Sequence, residues 1–567
     1  MSHPMTGKTK PSVAPPLVSA LTGPLLLFLA VLAPPMSWAE IVFSPPESPG
    51  ADHHIPAAAR SACDDTLYQN LCVSTLSAVL QNLPSASLRD IIAATVNITI
   101  GDVLSSRSRC SDILRRTGDR LGPLPRLALS DCLELLDRTV SRLKAAARDL
   151  PRGPVTSART LHDLETLLST AITNQYTCLD GFAHGGGRQR EILREGLLRI
   201  ARHASNSLAM LKKLRDSGGL AVEAEAVGKA GRGYPGWMTR RERRLLEAAA
   251  GTEFDVVVAK DGSGNFTTVG GAVAAAPSSG AARFVIYIKA GAYMENVEVG
   301  SAQTRVMFVG DGIGKTVIKG SRSAGTNWTT FRSATVAVVG DGFLATGITI
   351  ENAAGPSNLQ AVALRSGSDL SAFYRCSFVG YQDTLYAHSM RQFYRDCDVY
   401  GTVDFVFGDA AAVLQGCNLY ARRPAPRQKN VFTAQGREDP NQSTGLSLVG
   451  CKIAAAEDLL PVQSSVKSYL GRPWKAYSRT VVVVSQIDGL IEPAGWVEWS
   501  GDFGLRTLYY GEFGNRGGGA NTSGRVTWPG YRVINTSTEA MMFTAGSFVQ
   551  GGDWLPATGF PFYLGLS

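Results

Sequence analysis

The chain has 567 residues, of which 44% are hydrophobic and 8% aromatic, and this composition excludes a disordered or fibrous protein. Its length exceeds the size at which one hydrophobic core keeps growing, so at least two folded units are expected. The formal net charge is +8, with 30 basic and 23 acidic residues before Gly251 and 26 and 25 from there on. Any affinity of the second half for an acidic polymer therefore has to be local.

Residues 1–39 have the pattern of a secretory signal peptide. Lysines precede an apolar stretch over residues 17–33, and the small-x-small sequence Ser37-Trp38-Ala39 predicts cleavage after Ala39. A retained membrane anchor is the alternative, but Gly23-Pro24 keeps the apolar run below the roughly 20 residues that a spanning helix needs. Secretion agrees with six glycosylation sequons, at Asn97, Asn265, Asn327, Asn441, Asn521 and Asn535.

The first half shows helical periodicity from about Asp64 to Leu214. Apolar side chains recur at helical spacing, for example at Leu127, Ala128, Cys132, Leu135, Leu136, Val140 and Leu143. This pattern predicts an all-α bundle. Residues 215–246 are rich in glycine and charge and predict an exposed linker that ends in a run of arginines.

After Phe254 the sequence changes to short Val, Ile and Phe runs separated by Gly, Asn and Asp, which predicts strands at 305–309, 336–339, 347–351 and 373–378. Gln360 and Gln382 stand 22 residues apart, and Asp383 and Asp404 stand 21 apart. A repeat in the low twenties without long helices predicts a parallel β-helix with one coil per repeat, and a sandwich or barrel is the alternative. Residues one coil apart lie about 4.8 Å apart on one face, so the two aspartates are predicted neighbours.

The two aspartates lie among aromatic and aliphatic residues, in GYQDTLY and GTVDFVFG. Two carboxylates held together in such surroundings cannot both ionise easily, so one pKa rises, and the pair supplies a proton donor and an anionic nucleophile. A Ser-His-Asp triad would depend on His388, the one histidine of the second half, and no Gly-x-Ser-x-Gly elbow is present. A three-histidine metal site is impossible there.

Four motifs carry a resemblance to a known family. GYQDTLY at Gly380, GTVDFVFG at Gly401, the QAVALR segment at Gln360 and YLGRPWKAYSRTV at Tyr469 occur in order. Together they resemble the plant pectin methylesterases over nearly all of 254–566. The resemblance implies a right-handed parallel β-helix over residues 247–567 that removes methyl esters from pectin in the cell wall, giving pectate and methanol, with no metal or cofactor.

The resemblance also implies roles for site residues. Asp404 is expected to be the nucleophile, and Asp383 the acid that protonates methanol and then the base toward water. Gln360 and Gln382 are expected to stabilise the oxyanion, although a stacked amide ladder is the ordinary role of a glutamine in a β-helix. Arg472 is expected to orient the Asp404 carboxylate and to meet a substrate carboxylate.

Substrate contacts are implied for Thr330 and Trp474, together with Gln360 and Arg472. Core packing is the alternative for Trp474 taken alone. Asp409 departs from the family, whose members usually have Asn at that position, and this added carboxylate is expected to shift pKa values near Asp404.

The first half resembles the four-helix pectin methylesterase inhibitor domain, which occurs as a pro-region. The resemblance rests on the first two cysteines, on ALSDCLEL from Ala128 and on TNQYTCLDG from Thr173. It implies disulfides Cys63–Cys72 and Cys132–Cys178 and leaves Cys110 unassigned. In the second half, Cys376 and Cys397 are one coil apart and predict a disulfide between adjacent coils, with Cys417 and Cys451 as further possible partners.

The domain order that follows is a signal peptide at 1–39, a linker at 40–62, an inhibitor-like pro-domain at 63–214, a linker at 215–246 and the catalytic domain. The sequence Arg243-Arg244-Leu245-Leu246 matches the basic processing motif of such precursors. Expected partners are methyl-esterified pectin, the helical domain in cis, separate inhibitor proteins and a processing protease.

Two other functions are compatible with parts of the pattern. A β-helix pectate lyase or polygalacturonase would need a calcium-binding acidic cluster or paired acids flanking a glycosidic bond. A catalytically inert pectin-binding or inhibitory protein would place the biological role in the helical half. The sequence gives no reason for inactivity, because it contains all of Gln360, Gln382, Asp383, Asp404, Arg472 and Trp474.

Overall fold

The computed structural model describes residues 57–80, 86–150, 158–183, 185–217 and 254–566. The predicted signal peptide, most of the first predicted linker and the processing motif at 243–246 lie outside these ranges. Among the described residues, no helix combines the length and the apolarity needed to cross a membrane.

The described residues of the first half form six α-helices: α1 (Ala57–Cys63), α2 (Gln69–Leu80), α3 (Leu88–Thr117), α4 (Pro123–Asp149), α5 (Ala158–Asp180) and α6 (Gly187–Ser217). The four long helices α3 to α6 each pack against two others, which is the predicted four-helix bundle. A capping box between Ser87 and Asp90 starts α3. Helix α1 buries Ala59 and Ala62 in the core of the bundle.

Both disulfides implied for the helical half are present, Cys63–Cys72 between α1 and α2 and Cys132–Cys178 between α4 and α5. Cys110 is a free, buried thiol in α3 whose Sγ donates to the Leu129 carbonyl at 3.4 Å. Burial raises the pKa of Cys110 to about 12, so this thiol is unreactive at neutral pH.

The second half consists mainly of short strands. In chain order they are β1 (Val256–Val258), β2 (Phe284–Ile288), β3 (Gly291–Met294), β4 (Val297–Val299), β5 (Val306–Gly310), β6 (Thr316–Gly320), β7 (Val336–Val338), β8 (Leu344–Thr346), β9 (Thr349–Asn352), β10 (Leu364–Ser366), β11 (Ser371–Tyr374), β12 (Ser377–Val379), β13 (Leu385–Ala387), β14 (Arg391–Arg395), β15 (Asp398–Gly401), β16 (Val406–Gly408), β17 (Ala411–Gln415), β18 (Asn418–Ala421), β19 (Asn430–Gln435), β20 (Gly445–Val449), β21 (Lys452–Ala455), β22 (Ser468–Gly471), β23 (Arg479–Val483), β24 (Gln486–Ile487), β25 (Tyr509–Phe513) and β26 (Tyr531–Val533).

These strands form three parallel sheets. The order is β1-β2-β5-β8-β11-β14-β17-β20-β23-β25-β26 in one sheet, β22-β19-β16-β13-β10-β7-β4 in the second and β24-β21-β18-β15-β12-β9-β6-β3 in the third. From β2 to β24 the chain visits the three sheets in turn, so each coil in this range contributes one strand to each sheet. This is the predicted parallel β-helix, and the sandwich and barrel alternatives are wrong.

Aromatic and aliphatic side chains stack inside the coils. The Phe373 ring lies parallel to the Tyr394 ring of the next coil at 4.9 Å, and both side chains are fully buried. Each such ring contributes about 1.5–3 kcal/mol through burial. Helix α7 (Val269–Ala274) packs near the first strands, and α8 (Ser537–Met541), α9 (Ala545–Phe548) and α10 (Gly551–Trp554) cover the eleven-stranded sheet.

The sheets meet at sharp corners that require a left-handed backbone. Arg375 has φ of 48° and Asp396 has φ of 50°, and glycines take the same place at Gly416 and Gly450. A residue with positive φ cannot continue a strand, so the predicted single strand at 373–378 is divided at Arg375 into β11 and β12.

The predicted disulfide between Cys376 and Cys397 is wrong, because both are free thiols, as are Cys417 and Cys451. Each thiol follows a corner residue and is buried, and its sulfur donates to backbone carbonyls. In-register stacking keeps side chains on adjacent coils parallel and about 4.8 Å apart, whereas a disulfide needs Cβ atoms about 3.8 Å apart. The four cysteines therefore act as small buried apolar residues.

Candidate active site

Asp383 and Asp404 lie at equivalent corners of adjacent coils. Asp383 precedes β13 and Asp404 precedes β16, and these strands pair with Leu385 opposite Val406. The same register continues at the corner, where the Asp383 amide donates to the Val403 carbonyl at 3.0 Å. Both aspartates have positive φ, 63° and 52°, a conformation that aspartate tolerates better than most residues. The structure thus places the two carboxylates as the neighbours that the repeat predicts.

The two carboxyl groups differ in their partners. Arg472 binds Asp404 through one edge of its guanidinium, with Nε donating to Oδ1 at 2.8 Å and Nη2 donating to Oδ2 at 2.7 Å. Burial, and then the negative charge of Asp404, raise the pKa of Asp383 well above its ordinary value. Asp404 is therefore held and oriented by a cation, while Asp383 keeps its proton to a higher pH than an ordinary aspartate.

A cavity of about 310 Å³ lies in front of the two aspartates. Gln360 and Gln382 line it, and the Ala361 amide donates to the Gln382 carbonyl, which places the two glutamines on adjacent coils. Gln360 Oε1 is buried and has no hydrogen-bond partner among the described residues. A buried amide oxygen without a partner carries a desolvation cost.

Two tryptophans, Trp474 and Trp499, line the cavity. Trp474 lies against Gly436, where a Cβ atom would meet its ring at 2.7 Å, so only glycine leaves room for the indole. Thr330 also lines the cavity, as the resemblance implies. Sequence reasoning missed Trp499, whose ring lies 4.2 Å from the Arg472 guanidinium and helps to hold it.

The helical half closes the cavity. Its side is formed by residues from the start of α4 and the end of α5: Leu124, Thr177, Asp180, Gly181 and Ala183. Next to the cavity, Thr177 Oγ1 lies 3.0 Å from the His388 Nε2 atom, and the His388 ring is fully buried. The site that the sequence predicts is therefore covered by the inhibitor-like bundle.

Ion pairs join the two halves around the covered site. The pairs are Asp131–Arg332, Glu134–Arg332, Arg142–Asp341, Asp163–Arg391 and Asp180–Lys475. Arg138 adds a hydrogen bond from Nη2 to the Gly367 carbonyl at 2.8 Å. Most of these acids belong to the helices and most of the cations to the β-helix.

Asp409 belongs to this interface. Its two oxygens accept four hydrogen bonds, from Thr173 at 2.6 Å and Gln442 at 2.6 Å on one side and from Thr444 at 2.5 Å and Gln435 at 3.2 Å on the other. Thr173 is on α5, so this carboxyl group connects the two halves.

The expectation that Asp409 perturbs the aspartate pair is wrong for Asp383. The charges that act on Asp383 are those of Asp404 and Arg472. Asp409 is directed toward the helical bundle, and burial raises its own pKa to about 6.

Docking of the two halves is predicted to weaken as the pH rises. Burial raises the pKa of Asp131 to about 6, of Asp409 to about 6 and of Glu438 to about 7, against ordinary values near 4. The docked state thus binds more protons, so the stabilisation is complete at low pH and is lost between about pH 4 and 7. Burial lowers the pKa of His388, so this group alone would make docking stronger as the pH rises. The three carboxyl groups have the opposite effect and outnumber it.

This pH dependence is measurable on the chain after cleavage in the linker at 215–246, by size-exclusion chromatography of the two parts. We expect the dissociation constant to rise by about tenfold or more between pH 5 and 7.5, and to rise less in Asp409→Asn. A dissociation constant that is constant or falls over this range would contradict the assignment of the interface carboxyls.

Two family models match the chain. Residues 255–552 match the Pectinesterase family, and residues 57–210 match the Plant invertase/pectin methylesterase inhibitor family. Fold, site and these matches define the class of protein as a β-helix ester hydrolase with an attached inhibitor-like domain.

Individual relatives agree with both matches. Pectinesterase 3 of Citrus sinensis is 50% identical over 525 residues, which cover 91% of this chain and 89% of the relative. Pectinesterase/pectinesterase inhibitor U1 of Solanum lycopersicum is 48% identical over 523 residues, covering 90% and 89%. The solved pectin methylesterase from carrot is 59% identical with a TM-score of 0.56, and covers 56% of this chain and all of its own. The chain therefore belongs to the pectinesterase family.

Proposed function

We propose that the β-helix hydrolyses the methyl esters of pectin with Asp404 as nucleophile and Asp383 as acid and base. The observation that carries this proposal is the asymmetry of the pair, in which Arg472 clamps Asp404 while the pKa of Asp383 is raised. One group is thereby an anion and the other a proton donor, which ester cleavage requires at the same time.

We propose the following steps. An Asp404 oxygen attacks the ester carbonyl, and the oxyanion that forms is stabilised by the Gln360 and Gln382 amides. The intermediate collapses by breaking the bond to the methoxy oxygen, which takes the proton of Asp383 and leaves as methanol. Asp383, now a carboxylate, removes a proton from water, which attacks the acyl-enzyme and releases the pectate carboxyl group and Asp404.

Gln382→Ala is predicted to lower kcat for methanol release by about 100-fold, because one oxyanion donor is lost while the carboxylate pair remains. The KM is expected to change by less than about threefold, since the interaction strengthens in the transition state. The measurement is steady-state methanol release by residues 247–567. A variant that loses affinity but keeps its kcat would show that Gln382 only contacts the substrate.

The reaction class is tested by the products of methylated pectin in the presence of a chelator. Methanol release that resists the chelator supports the esterase proposal. Unsaturated oligomers would indicate a lyase, new reducing ends would indicate a galacturonase, and no product from a folded chain would favour a binding protein. Within the described residues, no group of side chains has the arrangement of a metal site.

We further propose that the chain is secreted to the cell wall and that the helical half restrains the esterase until the linker is cut near residues 243–246. The covered cavity and the ion pairs between the two halves support the restraint. A processing protease and separate inhibitor proteins are the partners that this proposal adds.

A further inference from the structure

The catalytic half has 26 basic and 25 acidic residues from Gly251 on, so recognition of an acidic polymer has to rest on particular cations. Two cations stand beside the cavity. Arg332 follows the cavity residues Thr330 and Phe331, and Lys475 follows Trp474.

These two cations lie on opposite sides of the aspartate pair. In the seven-stranded sheet the order is β7-β10-β13-β16-β19-β22, with Arg332 just before β7 and Lys475 just after β22. Asp383 and Asp404 precede the two central strands. Neighbouring strands lie about 4.8 Å apart, so the strand next to each cation is about 10 Å from the nearer of the two strands that follow the aspartates.

Carboxylates of the helical half form ion pairs with both cations. The Arg332 Nε donates to Asp131 Oδ1 at 2.6 Å, and its Nη2 forms a second ion pair with Glu134. A third and longer contact, 3.4 Å from Nη1, goes to Glu298 of the β-helix itself. Once the helical half is removed, two of the three carboxylates around Arg332 are gone.

Lys475 shows the same arrangement on the other side. Its Nζ lies 3.0 Å from Asp180 Oδ1, and Asp180 lines the cavity. The ammonium also lies 5.3 Å from the Trp474 ring, and the β-helix carboxyl of Glu438 acts on its charge. Removing the helical half leaves this ammonium beside a surface suited to a sugar ring.

We propose that Arg332 and Lys475 are carboxylate subsites that bind unesterified galacturonate residues on either side of the ester under attack. The inference rests on the proposed pectin esterase function. The Arg332 guanidinium binds two side-chain carboxylates, and the same N–H groups can bind the carboxylate of a sugar. The Lys475 ammonium can bind a second sugar carboxylate through its positive charge. The helical half blocks the cleft by placing its own carboxylates where the polymer places its acids.

The test uses residues 247–567, which contain the whole Pectinesterase match at 255–552; the solved carrot enzyme matches 56% of this chain over all of its own length. Arg332→Gln and Lys475→Gln are compared with wild type on fully methylated and on partly de-esterified pectin, with unesterified trigalacturonate as a competitive inhibitor. We expect kcat/KM on partly de-esterified pectin to fall about 5- to 20-fold and the inhibition constant to rise similarly. Rates on fully methylated pectin should stay within about twofold.

Lys452→Gln is the matched control, because Lys452 is exposed on β21 of a different sheet. It should leave all three measurements unchanged. Variants that keep wild-type rates and inhibition on the de-esterified ligands overturn the subsites, and so does an equal loss on both pectins, which would indicate a general structural role. An inactive wild type would instead overturn the proposed esterase function.

Discussion

Asp404→Asn is expected to lower kcat for methanol release by about 10⁴-fold or more. Asparagine is similar in size to aspartate, but its amide oxygen is a much weaker nucleophile than a carboxylate, so the covalent step is lost. It also leaves the Arg472 guanidinium, which now donates two hydrogen bonds to Asp404, without its counter-charge. The residual rate should reflect the glutamine donors and binding alone.

Steady-state methanol release by residues 247–567 measures this effect. Asp502→Asn is the control, because Asp502 is exposed and does not line the cavity, so this variant should have the wild-type rate. A folded Asp404→Asn protein that retains more than about 1% of the wild-type kcat would contradict the nucleophile assignment. Comparison of melting temperatures separates loss of chemistry from loss of fold.

The uncleaved chain is expected to release methanol at least about 100-fold more slowly than residues 247–567. The helical half supplies part of the cavity wall and its acids occupy Arg332 and Lys475, so a polymer cannot enter while the halves are docked. Attachment in one chain keeps the effective concentration of the covering domain high, at about the millimolar level.

A pair of variants on the helical side tests the same point without changing the esterase. Asp131→Asn with Asp180→Asn in the full chain should restore a substantial part of the fragment's activity. Removing a buried partner such as Asp131 from its ion pair costs about 3–5 kcal/mol, and the partly exposed Asp180 adds less. Asp137→Asn is the control, since Asp137 is half exposed on α4 and pairs with Arg107. If the uncleaved wild type is as fast as the fragment, the restraint proposal is wrong.

The adjacency of the aspartates was predictable because a parallel β-helix converts sequence period into distance. With strands paired in register, 21 residues between Asp383 and Asp404 amount to one coil. The same logic failed for Cys376 and Cys397, since one coil of separation keeps thiols too far apart for a disulfide. It also failed to divide the strand at Arg375, because nothing but its conformation distinguishes that arginine from a strand residue.

The contacts between the two halves could not be predicted from sequence periodicity. Thr173 and Asp409 are 236 residues apart and meet because α5 lies over the cleft, a placement that neither repeat encodes. The sequence shows that Asp409 departs from the family. It does not show that Asp409 accepts hydrogen bonds from four donors, because those donors come together only in the folded chain. Trp499 lies beyond β24 in an irregular segment, so no strand pattern pointed to it.

The most direct test of one ionised and one protonated aspartate is the pH dependence of kcat for methanol release from fully methylated pectin by residues 247–567. In the full chain, burial and then the charge of Asp404 raise the pKa of Asp383. The Asp404 charge remains beside Asp383 in residues 247–567, so the wild-type rate should fall as the pH rises and Asp383 loses its proton. Asp383→Asn should be slower by about 10³-fold and should lack this alkaline decline. An alkaline decline that persists unchanged in Asp383→Asn would contradict the assignment of Asp383 as the acid.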